Sequence, residues 1–332
     1  MTRLLGVPMR RSLCFFLLPV FILMTGVPDA LLYADYKQAV AFYNQGQYDK
    51  AIQELKPDIE KNPDWEFGHR LLGLCYLSLN NNALAVNSLS RAVELKSTAY
   101  STYFGLGQAY FNMQKYEDCV TALDKAEKVA DKEKVLDKEK ARLYKLRGSA
   151  HFRMNRFNEA VSDITNSLRL NPSDWADFSM LGFAYYNLNR NNEAIQALEK
   201  ALSMQPDQSP TSDLLGKAYF KKGIAALSEK QYGAAVEGLI KAKKYDPQNG
   251  YILYNLAEAY LFQKQYLKAE NALKETIGLM PGNADAYGRM GLVYEKQKKW
   301  DSALNAYKKA EEISPSKELK EAIERVTENK KR

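Results

Sequence analysis

The sequence predicts an all-α solenoid of about eight helical hairpins, and three observations point to this fold class. First, a unit of 34 residues recurs, as in NRFNEAVSDITNSLRLNP at 155–172 and NRNNEAIQALEKALSMQP at 189–206. Second, small residues return at two fixed places of each unit, and third, proline closes most units. Many copies of one short unit are typical of arrays in which each unit buries its apolar face against its neighbours.

The repeats can be aligned on a common numbering of places. Place 1 falls at residues 32, 66, 100, 141, 175, 216, 250 and 284. Place 8 is held by Ala39, Gly73, Gly107, Gly148, Gly182, Gly223, Ala257 and Gly291. Place 20 is held by Ala51, Ala85, Cys119, Ala160, Ala194, Ala235, Ala269 and Ala303. Neither column contains a large residue.

The glycine at place 8 lies inside an amphipathic helical stretch, where it costs about 1 kcal/mol relative to alanine. Six repeats accept that cost, so a close contact must compensate for it. Since place 8 lies in the first helical stretch and place 20 in the second, small residues at both places predict a tightly packed helical hairpin. Leu or Ile at place 24 in seven repeats, with Tyr307 in the last, is predicted to be core.

Proline just beyond the second stretch predicts that the second helix ends there, because proline cannot continue a helix. Six repeats close in this way, with Pro63, Pro172, Pro206, Pro247, Pro281 and Pro315. Ser97 and Asp131 stand in place of the proline in the second and third repeats.

The pattern resembles the tetratricopeptide repeat (TPR) family. Its Leu-Gly-x-x-Tyr core is present within LLGLCY at 71–76, GLGQAY at 105–110 and MLGFAY at 180–185. The recurrent small residue of the second helix and the closing proline agree with it. The resemblance covers nearly all of residues 35–315 and implies a right-handed α-solenoid.

Two junctions between repeats are longer than the others, with seven-residue extensions near 134–140 and 209–215. Seven residues are close to two helical turns, so they lengthen a helix without rotating its apolar face. We therefore expect longer helices there and slight joints that divide the array into blocks of three, two and three repeats.

The segment 316–332 is predicted to be a capping helix with a basic tail. Leu319, Ala322, Ile323 and Val326 fall on one helical stripe, and the opposite side is charged. A terminal repeat needs such a cap because its last apolar face would otherwise lie in water.

Residues 1–34 are predicted to be a secretory signal peptide. Three arginines precede the apolar run LCFFLLPVFILM at 13–24, and a small residue stands at the expected cleavage point after Ala34. The alternative is an uncleaved N-terminal membrane anchor. In either case we expect the repeats to be exported, to the periplasm or beyond, or to the outer side of the membrane.

The composition suits a globular or repetitive protein, with 46% hydrophobic and 26% charged residues. The 47 basic and 40 acidic residues are interleaved, so the formal charge of +7 does not by itself indicate an acidic partner. Cys75 and Cys119 stand at helical positions where a small apolar residue is expected, so we predict unpaired thiols.

A stripe of aromatic residues on the first helices is the main candidate binding surface. Places 4, 7, 8 and 11 form the core stripe, and places 2, 5, 9 and 12 lie roughly 140° away, where polar residues would be expected. In the family, this second stripe faces a concave groove, so the resemblance implies an aromatic-lined groove for a protein or peptide. The alternative is that the rings pack on neighbouring repeats. With place 13, the stripe carries Tyr36, Tyr43, Phe67, Phe104, Phe111, Phe152, Phe183, Tyr186, Phe220, Tyr251, Tyr254 and Phe262.

A basic patch is a second candidate on the same face. Some relatives in the family bind a peptide's terminal carboxylates with a clamp of Lys, Asn and Arg. In this chain Ser149 and Met180 stand where two of the Asn residues would be, so the match is partial. Solvated side chains are the alternative. The candidate patch consists of Arg142, Lys145, Arg153, Lys217 and Lys221.

We expect no catalytic centre, metal, cofactor or small-molecule substrate. His69 and His151 lie on the core stripe, and no His-Glu-x-x-His, Cys-x-x-Cys, phosphate loop or nucleophile elbow is present. Nor do the groove positions carry the repeated Arg or Lys column expected of a nucleic-acid-binding solenoid.

The sequence therefore predicts an exported, non-enzymatic scaffold that binds a protein or peptide in its concave groove. Two alternatives remain open. One is a structural component that self-associates or joins an envelope assembly through its convex or terminal surfaces. The other is an accessory subunit of a separate envelope enzyme.

Overall fold

A computed structural model describes residues 36–331. The predicted signal peptide or anchor at 1–34 lies outside these residues. The described chain contains seventeen α-helices and no β-strand, which confirms the all-α fold class. The helices are α1 (Tyr36–Asn44), α2 (Tyr48–Lys61), α3 (Glu66–Ser78), α4 (Asn82–Glu94), α5 (Tyr100–Asn112), α6 (Tyr116–Ala130), α7 (Asp137–Arg153), α8 (Phe157–Leu170), α9 (Trp175–Asn187), α10 (Asn191–Met204), α11 (Ser209–Ser228), α12 (Tyr232–Tyr245), α13 (Gly250–Phe262), α14 (Tyr266–Leu279), α15 (Ala284–Lys296), α16 (Trp300–Ile313) and α17 (Lys317–Lys331).

The first sixteen helices form eight hairpins, each with an odd-numbered first helix and an even-numbered second helix. Consecutive helices pack against each other from α1 to α8 and from α10 to α17. The chain divides into two compact units, of which unit 1 ends at Asp177 and unit 2 begins at Phe178. This boundary falls inside α9, whereas the insertions predict joints near 134–140 and 209–215.

Both insertions lengthen a first helix at its start. Helix α7 begins at Asp137, four residues before place 1 of its repeat, and α11 begins at Ser209, seven residues before. Leu214 and Leu215 of α11 are buried in the same cluster as Ala218, so the added turns extend the apolar face. Helix α11 continues unbroken through its insertion, from Ser209 to Ser228. No helix among residues 36–331, the 20-residue α11 included, is both long and apolar enough to cross a membrane.

The two helices of each hairpin approach closely at place 8, but the glycine faces the residue at place 24. A Cβ added to Gly73 would lie 2.6 Å from Cγ of Leu89, and one added to Gly182 would lie 2.5 Å from Cγ of Leu198. Carbon atoms in contact are normally about 3.5 to 4.0 Å apart, so a larger residue at place 8 would collide with these leucines. The small residue at place 20 forms the next layer, since the carbonyl oxygen of Ala194 would lie 3.3 Å from the same added Cβ. An added Cβ would lie 3.0 Å or less from the place 24 side chain at Gly107, Gly148, Gly223 and Gly291 also.

One type of turn joins the two helices of every hairpin. The amide of Asn81 at place 16 donates to the carbonyl oxygen of Tyr76 at place 11 over 2.8 Å, and the equivalent bond is present in all eight hairpins. This hydrogen bond belongs to the Schellman motif, in which the residue just before the amide donor adopts the left-handed conformation. That residue, at place 15, has a φ between 59° and 74° in Gly46, Asn80, Gln114, Asn155, Asn189, Lys230, Lys264 and Lys298.

The second helices end where the proline pattern predicts. Helix α8 ends at Leu170, then Asn171 adopts a φ of −139° and a ψ of 84°, and Pro172 follows. A residue that precedes proline favours this extended conformation. In the second and third repeats, which lack the proline, Lys96 and Lys134 take a positive φ of 63° and 52° and turn the chain instead.

Helix α17 covers the last hairpin, which confirms the predicted cap. Ala322 and Val326 are buried in one cluster with Tyr307 of α16. Leu319 and Ile323 pack against the same cluster from the stripe that the sequence indicates. The apolar side of the eighth repeat is thereby removed from water.

Cys75 and Cys119 are unpaired and buried, as the sequence predicts. Burial raises the pKa of each thiol to about 12. Both therefore remain protonated near neutral pH and are poor nucleophiles in the folded protein.

The contact at place 8 predicts the effect of adding a single methyl group. Gly182→Ala is expected to destabilise the fold by about 1 to 3 kcal/mol, because the new Cβ collides with Leu198, and Gly182→Leu is expected to cost more. Urea unfolding followed by far-UV circular dichroism measures the change.

Gly278 provides the matched control, since it also lies in a helix but has no atom within 4 Å of an added Cβ. Gly278→Ala is expected to be neutral or to stabilise the fold by about 0.5 to 1 kcal/mol. Equal unfolding midpoints for Gly182→Ala and Gly278→Ala would contradict the assigned contact.

Candidate functional site

The candidate surface consists of the side chains at places 2, 5, 9, 12 and 13 of the first helices, and we call it the first-helix surface. Its twelve predicted aromatics differ widely in exposure. Tyr36 and Tyr43 are buried, at 8% and 7% exposure, whereas Tyr251 and Phe262 are exposed, at 64% and 52%. The other eight are half-buried, and they are Phe67, Phe104, Phe111, Phe152, Phe183, Tyr186, Phe220 and Tyr254.

Some of the rings at place 12 hold the hairpin together. Phe111 meets Tyr116, the first residue of the second helix, edge to face with ring centroids 5.5 Å apart. Phe152 packs in the same way on Phe157, at 5.6 Å, and Tyr43 on Tyr48, at 5.5 Å. Edge-to-face pairs of this kind stabilise a fold by about 0.5 to 1.5 kcal/mol beyond their buried area. These three rings therefore have a structural contact within their own hairpins, which differs from the predicted packing on neighbouring repeats.

In unit 1, arginine side chains lie over the aromatic rings of the first-helix surface. The guanidinium of Arg70 lies 4.9 Å from the centroid of Phe67 and donates to Glu66 over 3.1 Å. Arg142 lies 5.8 Å from the centroid of Phe104. This part of the surface presents both apolar faces and fixed positive charges.

In unit 2, the first-helix surface combines exposed apolar side chains with basic ones. Tyr251 is 64% exposed and Ile224 is 36% exposed. The ammonium group of Lys221 lies 4.0 Å from the ring centroid of Tyr186 and donates to Asn189 over 3.1 Å. Lys217 is exposed.

A polar triad lies beside these side chains in unit 2. Arg289 forms an ion pair of 2.8 Å with Glu258 and donates to the hydroxyl of Tyr254 over 3.5 Å. Burial raises the pKa of Tyr254, so its hydroxyl stays protonated and can still donate a hydrogen bond.

The five residues of the predicted basic patch differ in their surroundings. Lys145 forms ion pairs with Asp174 and, at 2.9 Å, with Asp177. Burial alone would lower the pKa of Lys145, but the two carboxylates outweigh it and the pKa is raised. The positive charge of Lys145 is therefore compensated within unit 1. Arg142 pairs with Glu139, whereas Arg153 and Lys217 are exposed.

Unit 1 also contains a buried charge cluster around Arg147 of α7. Its guanidinium binds Asp163 with two hydrogen bonds, of 2.8 and 3.0 Å, and reaches Glu127 at 2.6 Å and Asp124 at 2.8 Å. The side chains of Arg147 and Asp163 are 12% and 6% exposed. In most other repeats this place holds Leu or Met, so the cluster replaces an apolar contact of the core.

The two histidines each lie next to an acceptor oxygen of the protein itself. His151 is buried, and its Nε2 lies 3.7 Å from Asp163, but burial lowers the pKa of the ring so that it is neutral near pH 7. The Nε2 of His69 lies 2.9 Å from the carbonyl oxygen of Pro63. Among residues 36–331, no group of three His, Cys, Asp or Glu side chains is arranged to hold a metal ion.

Comparison with known protein families identifies the repeat. Family models described as "Tetratricopeptide repeat" match residues 36–102, 100–133, 141–174, 178–208, 226–277 and 284–317. The chain belongs to the tetratricopeptide repeat family. The matched segments of this TPR protein cover well over half of its length and include hairpins of both units.

Three curated relatives show how far the similarity extends. The small glutamine-rich tetratricopeptide repeat-containing protein 2 of Mycosarcoma maydis is 32% identical over 98 residues, which is 30% of this chain and 28% of that protein. BBSome complex member BBS4 of Bos taurus is 24% identical over 270 residues, 80% of this chain and 48% of the relative. A DnaJ homolog subfamily C member 7 homolog of Dictyostelium discoideum is 21% identical over 300 residues, 90% of this chain and 43% of the relative. The TPR chain thus spans less than half the length of each.

Solved structures of TPR proteins match parts of the chain. A crystal structure of MamA is 25% identical, covers 53% of this chain and 92% of its own, and has a TM-score of 0.39. The first TPR of Spaghetti (RPAP3), bound to an HSP90 peptide, is 22% identical, covers 35% of this chain and 94% of its own, and has a TM-score of 0.35.

Sequence reasoning missed the partners of several site residues. Aromatics recur at place 17 in six repeats and could have been found as a column, and in three of these repeats they pack on the ring at place 12. They are Tyr48, Tyr116, Phe157, Tyr232, Tyr266 and Trp300. The carboxylates opposite Lys145 lie about 30 residues away, with Asp174 at the end of the same repeat and Asp177 in the next, and no spacing rule identifies them.

The buried charge cluster predicts a large difference between two arginine substitutions. Arg147→Met leaves the carboxylate of Asp163 buried and unpaired, so we expect a loss of about 3 to 5 kcal/mol of stability. Arg156→Met is the matched control, because its ion pair with Glu117 is exposed, at 42% and 65% for the two side chains, and should cost about 1 kcal/mol or less.

Urea unfolding of the two variants and the parent measures these differences. Adding Asp163→Ala to Arg147→Met is expected to recover much of the loss, since both charges are then removed. An Arg147→Met variant as stable as Arg156→Met would show that the cluster contributes nothing to the fold.

Proposed function

We propose that this TPR protein is an exported scaffold that binds a segment of a protein partner along its first-helix surface. The observation that carries the proposal is the exposure of Tyr251, at 64%, on a stripe that would be polar if it only faced water. Tyr251 lies at the start of α13, and it belongs to neither of the two buried clusters to which that helix contributes. Tyrosine is enriched at binding surfaces because it offers a large contact area at a low cost in conformational entropy.

The neighbouring side chains of unit 2 suit a partner segment with both apolar and acidic residues. Ile224 and Tyr251 supply exposed apolar contacts, and Lys217 supplies positive charge on the same helical stripe. Lys221, at place 6, adds positive charge beside the stripe, over the ring of Tyr186. A few polar groups beside an apolar surface fix the direction and register of a bound peptide. As a scaffold, the protein would hold its partner without performing a reaction of its own.

The name of one relative supports a role in protein assemblies. BBS4, which is similar to 80% of this chain, is by its name a member of a complex. The alternatives are self-association and a role as an accessory subunit of an envelope enzyme. The identity of the chain captured by crosslinking distinguishes these alternatives.

Site-specific crosslinking tests the binding surface. A photo-crosslinking residue at position 251 should capture the partner from the native cell. Placed at Ile240, which is 48% exposed but lies on a second helix, it should not. Mass spectrometry of the product identifies the captured chain. Capture of a second copy of this protein alone would favour self-association.

With the partner purified, Tyr251→Ser is expected to weaken binding at least about 30-fold, the loss of roughly 2 kcal/mol that a central aromatic contact provides. Ile240→Ser should leave the Kd unchanged. Isothermal titration calorimetry measures both, and circular dichroism confirms that each variant is folded. Equal affinities for Tyr251→Ser and the parent would remove this surface from the binding site.

Export has its own test. If the signal is cleaved after Ala34, the protein isolated from its native cell begins at Asp35, and N-terminal mass spectrometry should detect that terminus. An uncleaved anchor would leave the original terminus on a membrane-bound chain whose repeats are digested by protease added outside. A soluble cytoplasmic chain that begins at Met1 would contradict export.

A further inference from the structure

The turns between the helices of the last three hairpins form a second surface, which adjoins the first-helix surface and shares place 13 with it. It comprises residues 228–233, 262–267 and 296–301, places 13 to 18 of three successive repeats in unit 2, and we call it the turn edge. Two large apolar side chains are exposed on it. Phe262 is 52% exposed and Leu267 is 66% exposed, on either side of one turn.

The aromatic group on the turn edge is held in place by its neighbour. The ring of Phe262 stacks on that of Tyr232 with centroids 4.9 Å apart and an interplanar angle of 12°. Tyr232 is the first residue of α12, in the preceding repeat. One face of Phe262 is therefore fixed against the protein, while half of its surface remains in water. Although Phe262 is a candidate of the aromatic stripe, this contact places it at the turn.

Three lysines in a row lie at the tips of the same turns. Lys230, Lys264 and Lys298 occupy place 15 of successive hairpins with φ values of 60°, 59° and 60°. The left-handed conformation is unfavourable for a residue with a Cβ unless it is Asn or Asp, and glycine would adopt it freely. At this place unit 1 uses Gly46, Asn80, Gln114 and Asn155, none of them charged.

The last three turns of unit 2 therefore keep a positive charge in spite of its backbone cost, whereas its first turn has Asn189 at this place. A preference for fold stability alone would favour glycine or asparagine there, as at Gly46, Asn80 and Asn155 of unit 1. The charge itself is what distinguishes these three turns.

Most acidic side chains near the turn edge are neutralised inside the protein, although Glu229, beside Lys230, is exposed and forms no ion pair with another residue of 36–331. Glu295 forms two hydrogen bonds, of 3.0 and 3.1 Å, with Arg325 of α17. Asp301 pairs with Lys330, and Glu270 pairs with Lys274 and, at 3.3 Å, with Lys299. By contrast, Lys230, Lys264 and Lys298 are exposed and form no ion pair with another residue of 36–331. The turn edge thus presents unpaired positive charge beside exposed apolar groups.

We propose that the turn edge of unit 2 binds the surface of an anionic lipid membrane. Exposed lysines at three successive turn tips match a layer of negatively charged headgroups, and each lysine near such a surface strengthens binding roughly fivefold. Phe262 and Leu267 protrude from a turn, where they can enter the boundary between headgroups and acyl chains. The proposal places a membrane contact in the repeats themselves, in addition to any contact of the N-terminal segment.

An environment-sensitive fluorophore on the turn edge tests this in the full chain. In a Cys14→Ser background, Leu267→Cys provides one reactive thiol, because Cys75 and Cys119 are buried and their pKa is raised to about 12. Asn158→Cys is the matched control, since it occupies the same place 18, is exposed and lies in unit 1. Each labelled protein is mixed with vesicles of phosphatidylcholine and phosphatidylserine, or of phosphatidylcholine alone.

The label at position 267 is expected to shift to the blue and brighten with the phosphatidylserine vesicles only, while the label at position 158 stays unchanged. Raising the salt concentration should reverse the effect. Lys230→Gln, Lys264→Gln and Lys298→Gln together should weaken the contact about 100-fold, even where the N-terminal segment keeps the chain on the vesicle. An unchanged label at 267, equal changes at 267 and 158, or full contact by the triple variant would overturn the proposal.

Discussion

The described hairpins depend on one steric relation, in which the side chain at place 24 occupies the space where a Cβ at place 8 would lie. In the hairpin of Gly182, that space belongs to Leu198, which is completely buried. The glycine lowers helix propensity by about 1 kcal/mol, and the buried leucine returns more than that through burial and dispersion. This contact sets the separation of the two helices, and the separation fixes the direction in which the first helix presents its outer stripe.

Most of the fold can be predicted from the sequence because the same physical requirement recurs in every repeat. The two small-residue columns predict paired helices, the prolines predict where second helices end, and Leu319 to Val326 predict the cap. The pairing of place 8 with place 24, and not directly with place 20, is not evident from residue size alone, because it depends on the rotation of each helix about its axis. The division inside α9 also has no counterpart in the sequence, since neither insertion lies there.

The candidate site is less predictable, because exposure depends on which neighbour reaches each ring. Tyr43 and Tyr251 belong to the same aromatic stripe, yet one is 7% and the other 64% exposed. Tyr43, at place 12, packs against Tyr48 from within the same hairpin, whereas Tyr251 lies at place 2, at the start of its helix. The availability of a charged side chain for binding depends on its neighbours in the same way. The sequence suggests that Lys145 could bind a partner, but its ammonium group pairs with Asp174 and Asp177, which lie about 30 residues further along the chain. Spacing along one helix shows which side chains share a face, but not what approaches that face from elsewhere in the chain.

The turns at the two ends of the hairpins have different tolerance for change. All eight connections between the two helices of a hairpin have the same length, and in each the residue at place 15 adopts the left-handed conformation. An added residue would therefore break the hydrogen bonds that close the turn. Both natural insertions lie at the opposite edge, where one hairpin leads to the next. Evolution and protein engineering can therefore add peptide tags or whole domains to this array at one edge only, while the other keeps the spacing of the repeats.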